Sequence, residues 1–492
     1  MSPVTRPPAW FLVLSMLWAL AACAYPIRNE AITEAHRPTY QWKDLPPGEL
    51  QDTLVIVTAS GGGTRATALT MSVLRAMDKI RLASGKSLAD EIDILSSVSG
   101  GSVTAGYFAL YGPAGLATLD SDFVRQNGMS AMIFRGLNPV GLAQLATPSK
   151  ERIDLLVDYL DRQLFHDVTF QKLVERKRRP YLILNAADMV EGTPFPFTQY
   201  TMDLLCSDLT TMKMSTAVAA SAAFPVALSP ITLKNYRPCK SIGKPTWLRA
   251  VRPGDWYFDP ARVTWQRTAA AYADGDKKYV HLLDGGIADN LGVSEPYRLL
   301  TGDDVSPNFK ANIEDGKIRK IVFIMINARS FAPSDLDQSQ ATPGALSMLS
   351  ASIGSSIDRA TFGTSERIRS LLTNGFRGIA DGIERKADRP GRPMRDVLLR
   401  QAANFRTVAR NTEFITIDFD AIDDPGCRRA YHSITTSWSL PGNQLDAIAA
   451  MGEALLQQDR SFPAVLRAVN ARPLDQPLTT VAQACTLLQP AD

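Results

Sequence analysis

Short apolar runs that end in glycine clusters and lead directly into helical spacing constrain this chain most. Thr53-Leu54-Val55-Ile56-Val57 has no polar residue after Thr53, the pattern of a strand buried on both faces. Ser60-Gly61-Gly62-Gly63-Thr64-Arg65 follows, and Leu69, Val73, Leu74 and Met77 then recur at helical spacing over 66–80. Ile92-Asp93-Ile94-Leu95 begins a second such unit, with Gly100-Gly101 and a helix-like stretch over 103–108 behind it. Tyr181-Leu182-Ile183-Leu184, Tyr279–Leu283 and Ile321–Ile326 are further runs of this kind, and Phe414-Ile415-Thr416-Ile417 is a late one. Strands alternating with helices predict an α/β fold: a mostly parallel central sheet flanked by helices on both faces. The rest of the C-terminal part reads as a helical or mixed extension.

The N-terminus sets the compartment. Arg6 precedes an almost wholly apolar run from Ala9 to Leu20, and Leu20-Ala21-Ala22-Cys23 closes it. This is the layout of a secretory signal, and the run is too short to span a bilayer. Leu-Ala-Ala before a cysteine resembles the lipobox of bacterial lipoproteins. That resemblance implies a signal peptide over 1–22 and acylation of Cys23. Ala24 stands where a retention aspartate would, so the expected location is the cell envelope, lipid-anchored at the outer membrane. The plainer reading is an ordinary secretory signal with an incidental Cys23. Residues 23–50 are polar and Pro-bearing and read as a tether. Residues 51–330 form the expected main domain, and 331–492 a region that continues or covers its core. Met129–Leu145 is densely apolar but broken by Gly136, Pro139 and Gly141; it suits either an inserted cap or a movable interfacial flap.

Composition excludes little but does exclude something. With 53 Lys and Arg against 50 Asp and Glu, the net charge of +3 is too small to argue for nucleic acid. Apart from Cys23 the cysteines are Cys206, Cys239, Cys427 and Cys485. An exported chain permits two disulfides, and of the three connectivities proximity favours Cys206–Cys239 with Cys427–Cys485; the plainer alternative is four unpaired thiols. No cysteine or histidine spacing suggests a metal site, and no cofactor is expected.

Three motifs carry chemistry. Gly61-Gly62-Gly63 lies between strand and helix, where backbone N–H groups and the helix N-terminus together favour an anion. That anion is either a phosphate or a developing oxyanion, and Gly61-x-Gly63-x-x-Ala66 also fits the loose dinucleotide fingerprint. Ser97-Val98-Ser99-Gly100-Gly101 then follows the second strand. This is the outline of a nucleophile elbow, with Ser99 central and the small Ser97 and Gly101 two residues away on each side. A dinucleotide site would want an acidic residue there, and none is present. Asp284-Gly285-Gly286 ends a further strand and leaves a carboxylate open to a partner, or else makes a simple tight turn.

In this order the three motifs resemble the patatin-like phospholipase family, whose pattern is a Gly-Gly-Gly-x-Arg loop, a G-x-S-x-G elbow and an Asp-Gly-Gly or Asp-Gly-Ala turn. Asn185–Asp188 and Ala217–Pro225 resemble softer family stretches, and the likeness covers roughly 51–330. Ser97 departs from the elbow's first glycine, and Ala66 from a frequent glycine. The resemblance implies a Ser99–Asp284 dyad without histidine: Ser99 as nucleophile, Asp284 as base, and the amides of Gly61, Gly62 and Gly63 as oxyanion donors. Gly101, Gly285 and Gly286 shape the turns. Arg65 is expected to orient the loop, meet a lipid phosphate, or pin the loop through a buried salt bridge. His36, His166, His281 and His432 are the only histidines, and His281 should face away from Asp284, three residues along a strand. The implied substrates are phospholipids or lysophospholipids. A soluble-ester esterase or thioesterase and a catalytically idle envelope scaffold are the alternatives.

Overall fold

The computed structural model describes residues 26–33, 40–126, 151–225, 227–239, 242–245, 248, 260–302, 305, 307–331, 340, 342–389, 394–474 and 477–488. The expected signal peptide over 1–22, Cys23, His36 and the 129–145 segment lie outside the described residues.

The six apolar runs all become strands of one sheet. In chain order its members are β2 (Thr53–Ala59), β3 (Ile94–Val98), β4 (Tyr181–Asp188), β5 (Pro194–Pro196), β7 (Ile231–Lys234), β8 (Tyr279–Asp284), β9 (Lys320–Asn327) and β10 (Thr412–Asp418). A separate pair joins β1 (Glu30–Ala31) to β6 (Ser207–Asp208). The sheet order is β10-β9-β2-β3-β4-β8-β7, with β5 on β4. Pairing is parallel from β10 through β4 and antiparallel at β4–β8, β7–β8 and β4–β5. Every residue of β2, β3 and β4 is buried, as unbroken apolar runs in a covered parallel sheet require.

Helices cover both faces. Those that matter here are α1 (Gly63–Lys79), α2 (Gly100–Tyr111), α3 (Met214–Ser221), α4 (Ala345–Ser370), α5 (Pro425–His432), α6 (Gly442–Gln458) and α7 (Val481–Thr486). The C-terminal region both continues and covers the core. It adds β10 to the sheet edge, and α6 packs along α1. Gly452 permits that approach, because a Cβ there would lie 2.7 Å from Ser72 Oγ. Cys206 is bonded to Cys239, and Cys427 of α5 to Cys485 of α7. Among the described residues no helix is long and apolar enough to cross a membrane.

The expected tether needs correction in its described parts. Arg28 ion-pairs with Asp154, β1 pairs with β6, and Tyr40 is buried. The Tyr40 ring stacks on Tyr181 at 5.2 Å, and its hydroxyl accepts the Leu182 N–H at 2.8 Å. Scattered aromatic anchors in a polar stretch give no periodic signal, so the sequence reading saw only a spacer.

Candidate active site

Two parallel strands and one reversed strand bring the three motifs together. β2 and β3 are adjacent and parallel, so the turns after them open at the same end of the sheet. β8 runs the other way. Val98 pairs with Asn185 on β4, while the next residue, Ala186, pairs with Asp284. The last residue of the reversed strand therefore meets the end of β3, one strand away from Ser99. A further parallel strand would have carried its C-terminal residue in the same direction as β4 and would lack this return.

Ser99 has φ 50° and ψ −119°, a sparsely populated conformation for a non-glycine residue. It costs about 1–3 kcal/mol unless its surroundings enforce it. The enforcement is a buried polar network. Ser221 Oγ donates to the Asn185 carbonyl at 2.6 Å and accepts the Ser99 N–H at 2.9 Å. Because the Ser221 proton is thus committed, the 2.9 Å contact from Ser102 Oγ must be a donation into Ser221. Ser97 Oγ lies 3.0 Å from Ser102 Oγ. The serine that replaces the elbow's first glycine thus adds a hydrogen bond as well as being small. Asn185 Nδ2 donates to Ser96 Oγ and to the Ser97 carbonyl, both at 3.0 Å. The Ser221 carbonyl also accepts the Gly285 N–H at 3.1 Å. One residue therefore touches both the elbow and the Asp284 turn.

Asp284 is 5% exposed. Burial pushes its carboxyl up to about 6, opposed by the Gly286 N–H and by the Ser99 hydroxyl. The Gly286 N–H donates to Asp284 Oδ1 at 2.8 Å. A carboxylate raised in this way is a better proton acceptor than an exposed one and is still ionised at neutral pH. Gly285 is required by close approach, because a Cβ there would lie 2.2 Å from the Asn185 carbonyl oxygen. At Gly101 it would meet the Ser60 carbonyl oxygen at 2.7 Å, and at Gly286 it would meet Asn290 and Asp284, each at 3.0 Å.

The glycine loop differs from expectation at one residue. The Gly61 N–H donates to the Asn290 carbonyl at 3.0 Å, so it is not free to hold an oxyanion. Gly61 instead packs against Ser99, where a Cβ would sit 3.2 Å from Ser99 Cβ. Gly62 (φ 139°) and Gly63 (φ 60°) adopt positive φ, and their N–H groups have no acceptor among the described residues. These two amides, at the N-terminus of α1, are therefore placed to hold an anion.

Arg65 is 2% exposed and makes no salt bridge among the described residues. It donates to the Ala328 carbonyl at 2.7 Å, the Ile434 carbonyl at 2.6 Å and Thr436 Oγ1 at 3.0 Å. Burial without an anion pulls its guanidinium down to about 10. It ties the loop to Ala328, Ile434 and Thr436 through carbonyl and hydroxyl groups, without the salt bridge considered from the sequence. The Thr64 N–H adds a 2.9 Å bond to the Ser437 carbonyl. Sequence reasoning missed this C-terminal contribution, as it missed Asn290 and Ser221, because each lies far from its partner along the chain and carries no local motif. Only Ser221, inside the family-like 217–225 stretch, had a signal.

Gly61, Gly62, Gly63, Arg65, Ser99 and Asp284 line one cavity of about 410 Å³, together with Arg329, Asp358 and Trp438. The described histidines are elsewhere. His281 Nδ1 lies 2.9 Å from Thr232 Oγ1, and His432 Nε2 lies 2.9 Å from Asp420. No metal-holding cluster occurs among the described residues.

The sequence matches none of the curated proteins. Solved structures similar to it include human GIVD cytosolic phospholipase A2, at 14% identity and TM-score 0.30, over 57% of this chain and 46% of that one. VipD from Legionella pneumophila is similar at 10% identity and TM-score 0.29, over 89% and 72% of the two chains. The ExoU–SpcU complex of the type III secretion system of Pseudomonas aeruginosa gives 11% identity and TM-score 0.17, over 90% and 75%. The chain thus spans about half the length of the human protein. The family model described as patatin-like phospholipase matches residues 57–297. That single stretch begins within β2 and runs past the Asp284 turn, and over it the chain carries a patatin-like phospholipase domain.

Proposed function

We propose that this protein is a serine acyl hydrolase that cleaves ester bonds of phospholipids or lysophospholipids through a Ser99–Asp284 dyad. One observation carries the reading. A strained serine, a buried carboxylate raised to about 6 and two unengaged loop amides line the same cavity. Asp284 takes the Ser99 proton as Ser99 Oγ attacks the ester carbonyl. The N–H groups of Gly62 and Gly63 hold the tetrahedral oxyanion, each worth about 3 kcal/mol in the transition state. Collapse expels the alcohol, which leaves with the proton from Asp284, and an acyl-Ser99 ester remains. Asp284 then deprotonates water, whose oxygen attacks the acyl carbonyl; the acyl–Ser99 bond breaks, Ser99 Oγ takes the proton back from Asp284, and the fatty acid leaves.

The family supports a lipid substrate, and Leu20-Ala21-Ala22-Cys23 supports a lipid anchor at the outer membrane. A tethered enzyme would meet its esters in the bilayer that holds it. The test is fatty-acid release from phosphatidylcholine and lysophosphatidylcholine vesicles by the wild type and Ser99→Ala. Release that survives Ser99→Ala, or release from short soluble esters alone, would reject the reading.

A further inference from the structure

We propose that Arg329 is a phosphate-recognition residue at the rim of the catalytic cavity, so that the ester accepted there is one that carries a phosphate. This rests on the hydrolase reading above and goes beyond it by naming the group that selects the substrate.

Position comes first. Arg329 stands two residues past the end of β9, and the intervening Ala328 is tied to the glycine loop. The Ala328 N–H donates to Ser60 Oγ at 2.8 Å, and the Ala328 carbonyl accepts Arg65 Nε at 2.7 Å. A Cβ on Gly62 would lie 3.3 Å from that same carbonyl oxygen. The backbone of Arg329 is therefore fixed next to an oxyanion donor, and its side chain lines the cavity that holds Ser99. A phosphate a few bonds from a scissile carbonyl falls within reach of such a group.

The guanidinium is built in and underused. Its side chain is 9% exposed, stacked 3.8 Å from the Phe331 centroid and 4.2 Å from that of Phe362. Both rings are themselves exposed on their outer sides. Its ionic partner is Asp358 of α4, at 3.3 Å from Nε, yet that nitrogen is buried without a properly directed hydrogen bond. Arginine has five N–H donors in a planar fork suited to phosphate. Here two rings lie against the guanidinium, and its ionic partner is a half-exposed carboxylate. Arg65, the other cation of the cavity, spends its donors on Ala328, Ile434 and Thr436. Arg329 is thus the cation whose edge a ligand oxygen can take, by displacing Asp358.

Two substitutions of opposite sign test this. Kinetics would be measured on a short-chain diacyl phosphatidylcholine and on the p-nitrophenyl ester of the same fatty acid. Arg329→Gln should lower kcat/KM on the phospholipid roughly tenfold more than on the neutral ester, through KM, because a charge-assisted bond is lost. Arg329→Lys should recover part of that difference. Asp358→Asn frees the guanidinium, and should lower KM for the phospholipid and strengthen competitive inhibition by sn-glycero-3-phosphocholine. Weaker parallel inhibition by inorganic phosphate would mark the headgroup, and not the free ion, as the fitted ligand. Equal losses on both substrates, or a raised phospholipid KM in Asp358→Asn, would overturn the inference and leave Arg329 as a packing residue. If the wild type cleaves phospholipid and Arg329→Gln does not change its preference, this inference alone fails. If the wild type cleaves only the p-nitrophenyl ester, the phospholipid reading fails with it.

Discussion

Replacing Asp284 with asparagine should make the protein more stable while it destroys turnover. The carboxyl ordinarily titrates at 3.8 and is raised to about 6, chiefly by burial. Its folded pKa therefore lies above its unfolded one. Between pH 4 and 6 the folded state binds the extra proton, so stability falls as pH rises through that window. Two units at 1.36 kcal/mol each give a cost of about 3 kcal/mol, complete above pH 6. The asparagine amide would keep an oxygen for the Gly286 N–H, which now donates to the carboxylate at 2.8 Å, without a charge to desolvate. At about 2.1 cal/mol/K per residue, a chain of 492 residues unfolds with an entropy near 1 kcal/mol/K. Asp284→Asn should then melt about 3 °C above the wild type at pH 7.5 and level with it at pH 4. Turnover should fall by about 10² or more, since a base is lost. Calorimetry of both proteins from pH 4 to 8 makes the comparison, and other acids cancel in the difference. A variant that melts lower at pH 7.5, or a gap that does not depend on pH, would refute the reasoning.

Further outcomes follow from the same geometry. Wild-type kcat/KM should rise through about pH 6 and then level, because Asp284 must be ionised to accept the Ser99 proton; a profile flat from pH 4.5 to 8 would contradict that role. Ser221→Ala removes the acceptor of the Ser99 N–H and the donor to Asn185, so kcat should drop about tenfold or more with KM little changed, whereas Ser221→Thr should restore part of it. Gly62→Ala places a side chain at φ 139° and should cost about 10²–10³ in kcat by displacing one oxyanion donor, with substrate KM as the control. Cys23→Ser should move the protein from the membrane to the soluble fraction or stall its processing, because stable anchoring takes more than one acyl chain; normal membrane retention of the processed variant would reject the anchor.

The parallel half of the sheet and the two glycine-bounded turns were legible because each is local. An unbroken β-branched run signals a strand covered on both faces, and small residues two away from Ser99 signal the elbow. The reversal at β8 was not legible, since Tyr279–Asp284 reads as a buried run whichever way it points. Yet that reversal brings Asp284 level with Ala186 and the elbow. Gly61, Gly62 and Gly63 look alike in sequence, and only the Asn290 carbonyl separates Gly61 from the two donors. Arg65 stood out in sequence with several roles open, but its partners, 369 and 371 positions away at Ile434 and Thr436, carry no local signal. A polar stretch with single aromatics, such as 40–50, hides its anchors for the same reason: Tyr40 finds its partners at Tyr181 and Leu182.

The central claim is that Ser99 is the activated nucleophile, and covalent labelling with a fluorophosphonate probe tests it most directly. The wild type should be labelled at Ser99, with labelling that strengthens as pH rises through about 6, in step with ionisation of Asp284. Ser99→Ala should take up no probe while retaining its fold and melting temperature. Labelling that persists in Ser99→Ala and disappears in Ser97→Ala or Ser102→Ala would contradict the assignment.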